Sequence, residues 1–254
     1  MNRFTDKIVV ITGANKGIGA ACAREFAAQG AQVVGIARSS HAQIAEEVKK
    51  YQAIQFDFAT ATAERINDLV QGILEKYGRI DVLVNNAGMI RRAPAVDFSE
   101  KDWQEVLQVN LSAPFFLTQA VARWWIERRM KEQAEPARLK IVNIASLLSF
   151  QGGITVPAYT ASKHGIAGIT KALANEWAGL RININAVAPG YIATDNTQAL
   201  RDNAERNKAI LSRIPQGHWG EPNEIAGTVM FLASKDADYV NGAILNVDGG
   251  WLGR

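Results

Sequence analysis

In the run YTASK, residues 159–163, a phenol and an ammonium group stand four positions apart among small residues. On a helix that spacing sends both side chains out of one face, about one turn apart. A free phenol has a pKa of about 10, so near neutrality it carries protons poorly unless a neighbouring cation favours the phenolate. Lys163 would supply that cation, and a drop of about three units corresponds to roughly 4 kcal/mol. Tyr159 so tuned gives a proton to a carbonyl oxygen, or takes one from an alcohol in reverse. The same pair also occurs as an ordinary surface contact, so its neighbours decide. Ser146, before LLSFQGG, offers a hydroxyl to the same substrate oxygen, although serine is also a common turn or cap residue. Asn110, in VNLSAPFF, falls in a helical pattern where asparagine is mildly unfavourable. Facing inward, it would hold a water linking Lys163 to solvent; otherwise it caps a helix beginning at Leu111.

Behind these side chains, short β-branched runs alternate with longer helical stretches. Strands are predicted at 7–12, 32–37, 53–57, 81–86, 140–146, 184–189 and 244–248, and helices at 18–29, 63–77, 112–129, 158–178 and 223–233. Most of the strands are apolar on both faces, as strands between two helical layers must be. The alternation predicts an α/β fold: one Rossmann-type domain, a doubly wound parallel sheet of about seven strands with helices on both faces. Two stretches break the rhythm. Residues 126–140, highly charged and containing Pro136, read as a solvated helix end and loop. A long insertion at about 191–220 follows Pro189-Gly190, where such insertions often cover an active site as a lid.

The composition narrows the partners. The 254 residues are 48% apolar and 21% charged, with a net charge of +3. That supports a large core, and the charge is too small and scattered to argue for nucleic acid. One cysteine, Cys22, excludes a disulfide within the chain and fits a reducing compartment. The opening MNRFTDKIVVITG lacks a secretory leader's long apolar stretch, and no 18-residue apolar run occurs. A cytoplasmic protein without a membrane partner is expected. His41, His164 and His218 are scattered without metal-ligand spacing, so no metal is expected. Trp124 and Trp125, on one long helix, are candidates for a subunit face.

TGANKGIG (12–19) follows the first strand and opens the first helix. Gly13, Gly17 and Gly19 allow a tight turn, and the helix amino end offers free N–H groups to a pyrophosphate. The spacing differs from G-x-G-x-x-G. The second strand should end near an adenosine ribose, where an acid favours NAD and a basic residue favours a 2′-phosphate. Here it ends in GIARSS, with Arg38 and no carboxylate nearby, and Lys16 lies in the glycine turn. Those two cations argue for NADP(H), with NAD(H) possible. Asp57 would accept from the adenine edge or cap the helix that follows.

With TGANKGIG, NNAG (85–88), Asn110, Ser146, YTASK and PG (189–190) in that order, the chain resembles the short-chain dehydrogenase/reductase family over essentially its whole length. The resemblance implies a tetrad of Asn110, Ser146, Tyr159 and Lys163. Tyr159 is then the general acid/base, and Lys163 lowers its pKa and binds the nicotinamide ribose. Ser146 orients the carbonyl, and Asn110 supports a water relay. It also implies a cofactor held by Gly13, Asn15, Lys16, Gly17, Ile18 and Gly19 at the turn, and by Arg38, Asp57 and Phe58 around the adenosine. Asn86, Ala87 and Gly88 form its wall, while Tyr159, Lys163, Pro189, Gly190, Ile192 and Thr194 meet the nicotinamide end. A homotetramer is implied as well.

NNAGMIRRAPAVDFSEKDW, NIASLLSFQGGITVPAYTASKHG and DGGWLGR are similar to a narrower group, the 2-dehydro-3-deoxy-D-gluconate 5-dehydrogenases. That implies a keto sugar acid as substrate, including the unsaturated-uronate-derived kind. A carboxylate needs a cation or clustered N–H donors. Arg91 and Arg92 are the candidates, with Ser146, Tyr159, Gln151, Asn196 and Gln198 facing the rest of the sugar. Many of that group look suited to NAD(H), so GIARSS is a departure. Reduction of another carbonyl (a ketoacyl thioester, a polyol or a gluconate) remains open. So does a non-catalytic nucleotide-sensing role, which an incomplete tetrad would have favoured.

Overall fold

The structure, a computed structural model, describes residues 2–131 and 137–253. The expected loop around Pro136 lies outside the described residues. In chain order the main elements are β1 (Ile8–Thr12), α1 (Gly17–Ala28), β2 (Gln32–Ala37), α2 (Ala42–Glu47), β3 (Tyr51–Gln55), α3 (Ala63–Tyr77) and β4 (Val82–Asn85). They continue with α4 (Glu100–Leu107), α5 (Ala113–Lys131), β5 (Leu139–Ile144), α6 (Pro157–Trp177) and β6 (Ile182–Pro189). The last are α7 (Gln198–Asp202), α8 (Ala204–Leu211), α9 (Pro222–Ala233) and β7 (Ile244–Val247). Among the described residues the strands form one seven-stranded parallel sheet in the order β3-β2-β1-β4-β5-β6-β7.

Period-2 alternation explains the apolar strands. Val9 and Ile11 join Phe26 of α1 and Ile225 and Val229 of α9 in one cluster. Ile8 and Val10 point the other way, into a cluster with Ile66 and Val70 of α3 and Leu117 and Val121 of α5. Each face of the sheet thus has its own helical cover, which buries β1, β4, β5 and β6 throughout.

The chain winds outward from β1 to β3, then returns to the other side of β1 to begin β4. At that reversal the carboxyl ends of neighbouring strands lead away in opposite directions and leave a crevice. The amino ends are closed by ionic contacts. The buried Asp81 carboxylate accepts from the Ile8 amide at 3.0 Å and pairs with Lys7 at 3.1 Å and with Arg79. Lys140, buried at the start of β5, reaches Asp238 at 2.6 Å. Burial pushes the Lys140 ammonium down, opposed by that carboxylate.

Several boundaries differ from expectation. β3 lies two residues earlier than 53–57, because the sheet pairs Tyr51–Gln55 with β2 and the chain leaves it at Phe56. Asp57 therefore lies beyond the strand; its carboxylate accepts from Ala59 N at 2.9 Å, while Thr62 caps α3. β5 ends at Ile144 rather than at Ser146. Trp125 is buried, with its indole donating to Leu180 O at 3.0 Å, so it is a core residue and not part of a subunit face. Among the described residues no helix is long and apolar enough to cross a membrane.

Candidate active site

The crevice beyond β1, β2, β4, β5 and β6 is a cleft of about 390 Å³. Its floor begins at the glycine turn. Gly13 and Gly17 take left-handed backbone conformations, φ +65° and +54°, which glycine adopts without penalty. A Cβ on Gly19 would collide with the Gly13 carbonyl oxygen, so α1 can pack this closely under the turn only with glycine at that position. Asn86 ties this turn to β4, donating from Nδ2 to Thr12 O at 2.9 Å and Gly13 O at 3.1 Å. The Thr12 hydroxyl in turn accepts from the Asn86 and Ala87 amides at 3.0 and 2.9 Å. Asn15 donates to the Ser39 hydroxyl at 2.9 Å and holds the loop carrying Arg38 beside the turn. Among the described residues no ion pair involves Arg38, whereas Lys16 pairs with Asp195 at 2.9 Å. This glycine-rich turn, with Lys16 in it and Arg38 lining the same cleft, fits a phosphorylated dinucleotide.

The other wall rests on β5 and α6. Tyr159 is in the first turn of α6, which opens with Pro157, and Lys163 follows one turn later. The Lys163 Nζ donates to Ile144 O at 2.7 Å and lies over the Tyr159 ring. Ser146, two residues past β5, accepts from Leu148 N at 3.2 Å and so caps a short 3₁₀ turn. The strands beneath are locked by a buried amide chain: Asn85 donates to Thr118 and Asn143, and Asn143 to Thr170, all within 2.9 Å.

Burial sets the proton affinities. It pushes the Tyr159 phenol up, against the Ser146 hydroxyl and the positive charge of Arg92, which pull it down. It pushes the Lys163 ammonium down to about 8. The expected lowering of the Tyr159 value by Lys163 does not dominate. The ammonium sits over the ring face and is engaged by Ile144, and loss of water disfavours charge on both groups.

Asn110 faces inward and is not a helix cap. It sits inside a π-helical turn, Gln108–Ser112, between α4 and α5, and caps nothing. Its Oδ1 accepts from Met89 N at 2.8 Å, and its Nδ2 donates to Met89 O at 2.9 Å and Ser162 Oγ at 3.2 Å. The side chain is 1% exposed and fastens the loop after β4 to α6.

Of the other candidates, Gly13, Asn15, Lys16, Gly17, Ile18, Arg38, Asp57 and Phe58 line the cleft, as do the 86–88 segment, Pro189, Gly190, Ile192 and Thr194. Gly19 lies behind its surface. Arg91 and Asn196 line the cleft, but Arg91 is held by Asp102 at 3.2 Å and Glu105 at 2.9 Å. Arg92 stands at the rim, 3.5 Å from Asn196 O, close enough to act on Tyr159. Gln151 accepts from the Trp251 indole at 3.3 Å, and Gln198 is exposed and bonded to Asp202 and Arg201. Neither of those two lines the cleft. Ser39, Val109 and Asp195 do, and the sequence reading missed them. Val109 adjoins Asn110, and Asp195 follows Thr194, so neighbours of the recognised motifs were the available signal.

The chain is 48% identical over 251 residues to the 2-dehydro-3-deoxy-D-gluconate 5-dehydrogenase of Bacillus subtilis, covering 98% of this chain and 95% of that one. A family model described as enoyl-(acyl carrier protein) reductase matches residues 13–252. The chain belongs to the short-chain dehydrogenase/reductase family. As a short-chain dehydrogenase/reductase it is an NAD(P)-dependent oxidoreductase. Two solved structures superpose on it with TM-scores of 0.91. One is a candidate 2-deoxy-D-gluconate 3-dehydrogenase from Agrobacterium tumefaciens with bound NADP, 52% identical and covering 100% of this chain and 99% of that chain. The other is a gluconate 5-dehydrogenase from Burkholderia cenocepacia in complex with NADP and tartrate, 35% identical and covering 100% and 98%.

Proposed function

We propose that this enzyme interconverts a keto sugar acid and its hydroxy acid, of the 2-dehydro-3-deoxy-D-gluconate or unsaturated-uronate-derived type, and prefers NADPH to NADH. The observation that carries this reading is Tyr159 with Lys163 over its ring, lining with Ser146 the same cleft as the glycine turn. Three strand spacings separate β2, which leads to Arg38, from β5, which leads to Ser146, or about 14 Å. An elongated dinucleotide can span that distance, and its nicotinamide supplies or accepts the hydride.

The chain's own part is proton handling and orientation. The Ser146 hydroxyl and the Tyr159 phenol converge on one substrate oxygen. With its pKa raised, Tyr159 stays protonated at neutral pH, the state needed to give a proton to a carbonyl. Lys163 keeps a cation beside the phenolate that remains. Arg92 meets the substrate carboxylate; Arg91, already paired with two carboxylates, shapes the loop. The segment 191–220, pinned at its root by Ala193 N donating to Gly220 O at 2.8 Å, would act as the lid of a one-domain enzyme.

The relatives' names support the sugar-acid reading, as does the tartrate in the Burkholderia neighbour. The family description favours a second reading, an acyl-thioester reductase, which would leave Arg92 without a carboxylate to meet. Mixing the enzyme with a panel of keto sugar acids and acyl thioesters, with NADPH and NADH separately, decides between them by loss of nicotinamide absorbance. A cytoplasmic homotetramer completes the proposal. The half-exposed edge strand β7 and the fully exposed Tyr239 nearby offer apolar surface to a neighbour, and light scattering tests the mass.

A further inference from the structure

Lys16 in the glycine turn and Asp195 in the segment beyond β6 form an ion pair across the mouth of the cleft, Nζ to Oδ2 at 2.9 Å. The same two segments also lie close at Gly17, where an added Cβ would come within 3.4 Å of the Thr194 methyl group. The turn carrying Asp195 is itself fixed. The Thr197 hydroxyl accepts from Thr194 N at 3.1 Å and donates to Ile192 O at 2.6 Å. Asp195 is therefore a placed carboxylate, and it lines the same cleft as Lys16, Arg38 and Ser39. Lys16 in turn holds the Asp195 carboxyl below its ordinary range.

We propose that Asp195 is a cofactor-discriminating residue: by engaging Lys16 it restrains the use of a 2′-phosphorylated dinucleotide and leaves Arg38 as the freely available phosphate cation. The inference rests on the reading that Lys16 and Arg38 receive the 2′-phosphate. A phosphate arriving there must either draw Lys16 away from Asp195 or share it and sit close to a carboxylate. Both routes weaken binding of the phosphorylated cofactor. A dinucleotide with a neutral 2′-hydroxyl meets neither penalty. Both partners are largely exposed, so salt screens the effect and it should be a matter of several-fold.

Calorimetric binding of NADP⁺ and NAD⁺ to the full chain tests this, using wild type, Asp195→Asn, Lys16→Ala and the double variant. Asp195→Asn should tighten NADP⁺ relative to NAD⁺ by about three- to tenfold at low salt. That gain should fall by at least half at high salt and by at least half on the Lys16→Ala background. An unchanged or lower ratio overturns the proposal, as does a gain that persists in full without Lys16. Lys16→Ala alone should weaken NADP⁺ selectively. If it leaves the ratio at the wild-type value, the underlying assignment of Lys16 to the phosphate fails, and the inference falls with it.

Discussion

The Lys163 ammonium nitrogen lies 5.5 Å from the centroid of the Tyr159 ring while donating to the Ile144 carbonyl oxygen at 2.7 Å. One cation thus joins the end of β5 to the face of the phenol. A charge so placed interacts with the ring's electron-rich face and is well situated for a phenolate once the proton has gone.

Replacement of Tyr159 by Phe removes the proposed proton carrier and little else. Turnover should fall by about 10²–10⁴-fold, with the dinucleotide Kd changed by no more than about twofold, because the ring and its packing remain. Steady-state rates and fluorescence titration check the two halves. Retention of more than a few per cent of activity would point to another proton donor.

The burial of Lys163 makes stability depend on pH in a defined window. Its folded-state value is about 8 against an ordinary 10.5. Between those values the unfolded chain binds more protons than the folded one, so stability rises with pH there; below about 8 the full cost of burying the ammonium is present. Lys163→Met should abolish this rise. The Tm of wild type minus that of the variant should increase from about pH 7.5 to 9.5. A level difference would mean that the ammonium bears no such cost.

Arg92 and Arg91 should separate in kinetics. Arg92→Ala should raise KM for a keto sugar acid roughly tenfold. It should also move the alcohol-oxidation profile to higher pH, since Arg92 pulls the Tyr159 value down. Arg91→Ala, which frees Asp102 and Glu105, should affect KM much less. Equal KM effects from both variants would contradict the assignment of the carboxylate to Arg92.

Asn110→Ala leaves the Met89 N–H and C=O without partners in a buried place, a loss of about 1–3 kcal/mol. Urea unfolding measures it. A stability loss near zero would show that the loop after β4 finds other partners.

The strands were legible because local chemistry dictates them, and the motifs around Ser146, Tyr159 and Lys163 end up lining one cleft. α3 was read with its observed bounds: Thr62 accepts from Arg65 N at its start, and Gly78 ends it at φ +70°. β3 was displaced because it is an edge strand with a weak burial pattern, so pairing with β2 rather than hydrophobicity sets its limits. The short α4 was missed although Ser99 caps it by accepting from Asp102 N at 3.1 Å. Its serine-to-aspartate spacing was the overlooked signal. The π-helical turn at Asn110 and the clasp on Arg91 were not readable. The first requires one residue more per turn than the surrounding pattern, and the second joins a loop to α4 only after both have folded.

The two ends of the sheet do different work. Asp81 with Lys7 and Arg79, and Lys140 with Asp238, hold the amino ends, whereas the cleft is built wholly from segments leaving the carboxyl ends. Variation can therefore accumulate in one half of the molecule while the anchor in the other stays untouched. A gene library confined to the exposed positions of 90–98, 147–155 and 191–220, sparing the buried Leu147, Ile192, Ile210 and Ile214, should yield mostly folded proteins, and its members should differ in what they reduce rather than in whether they survive heating.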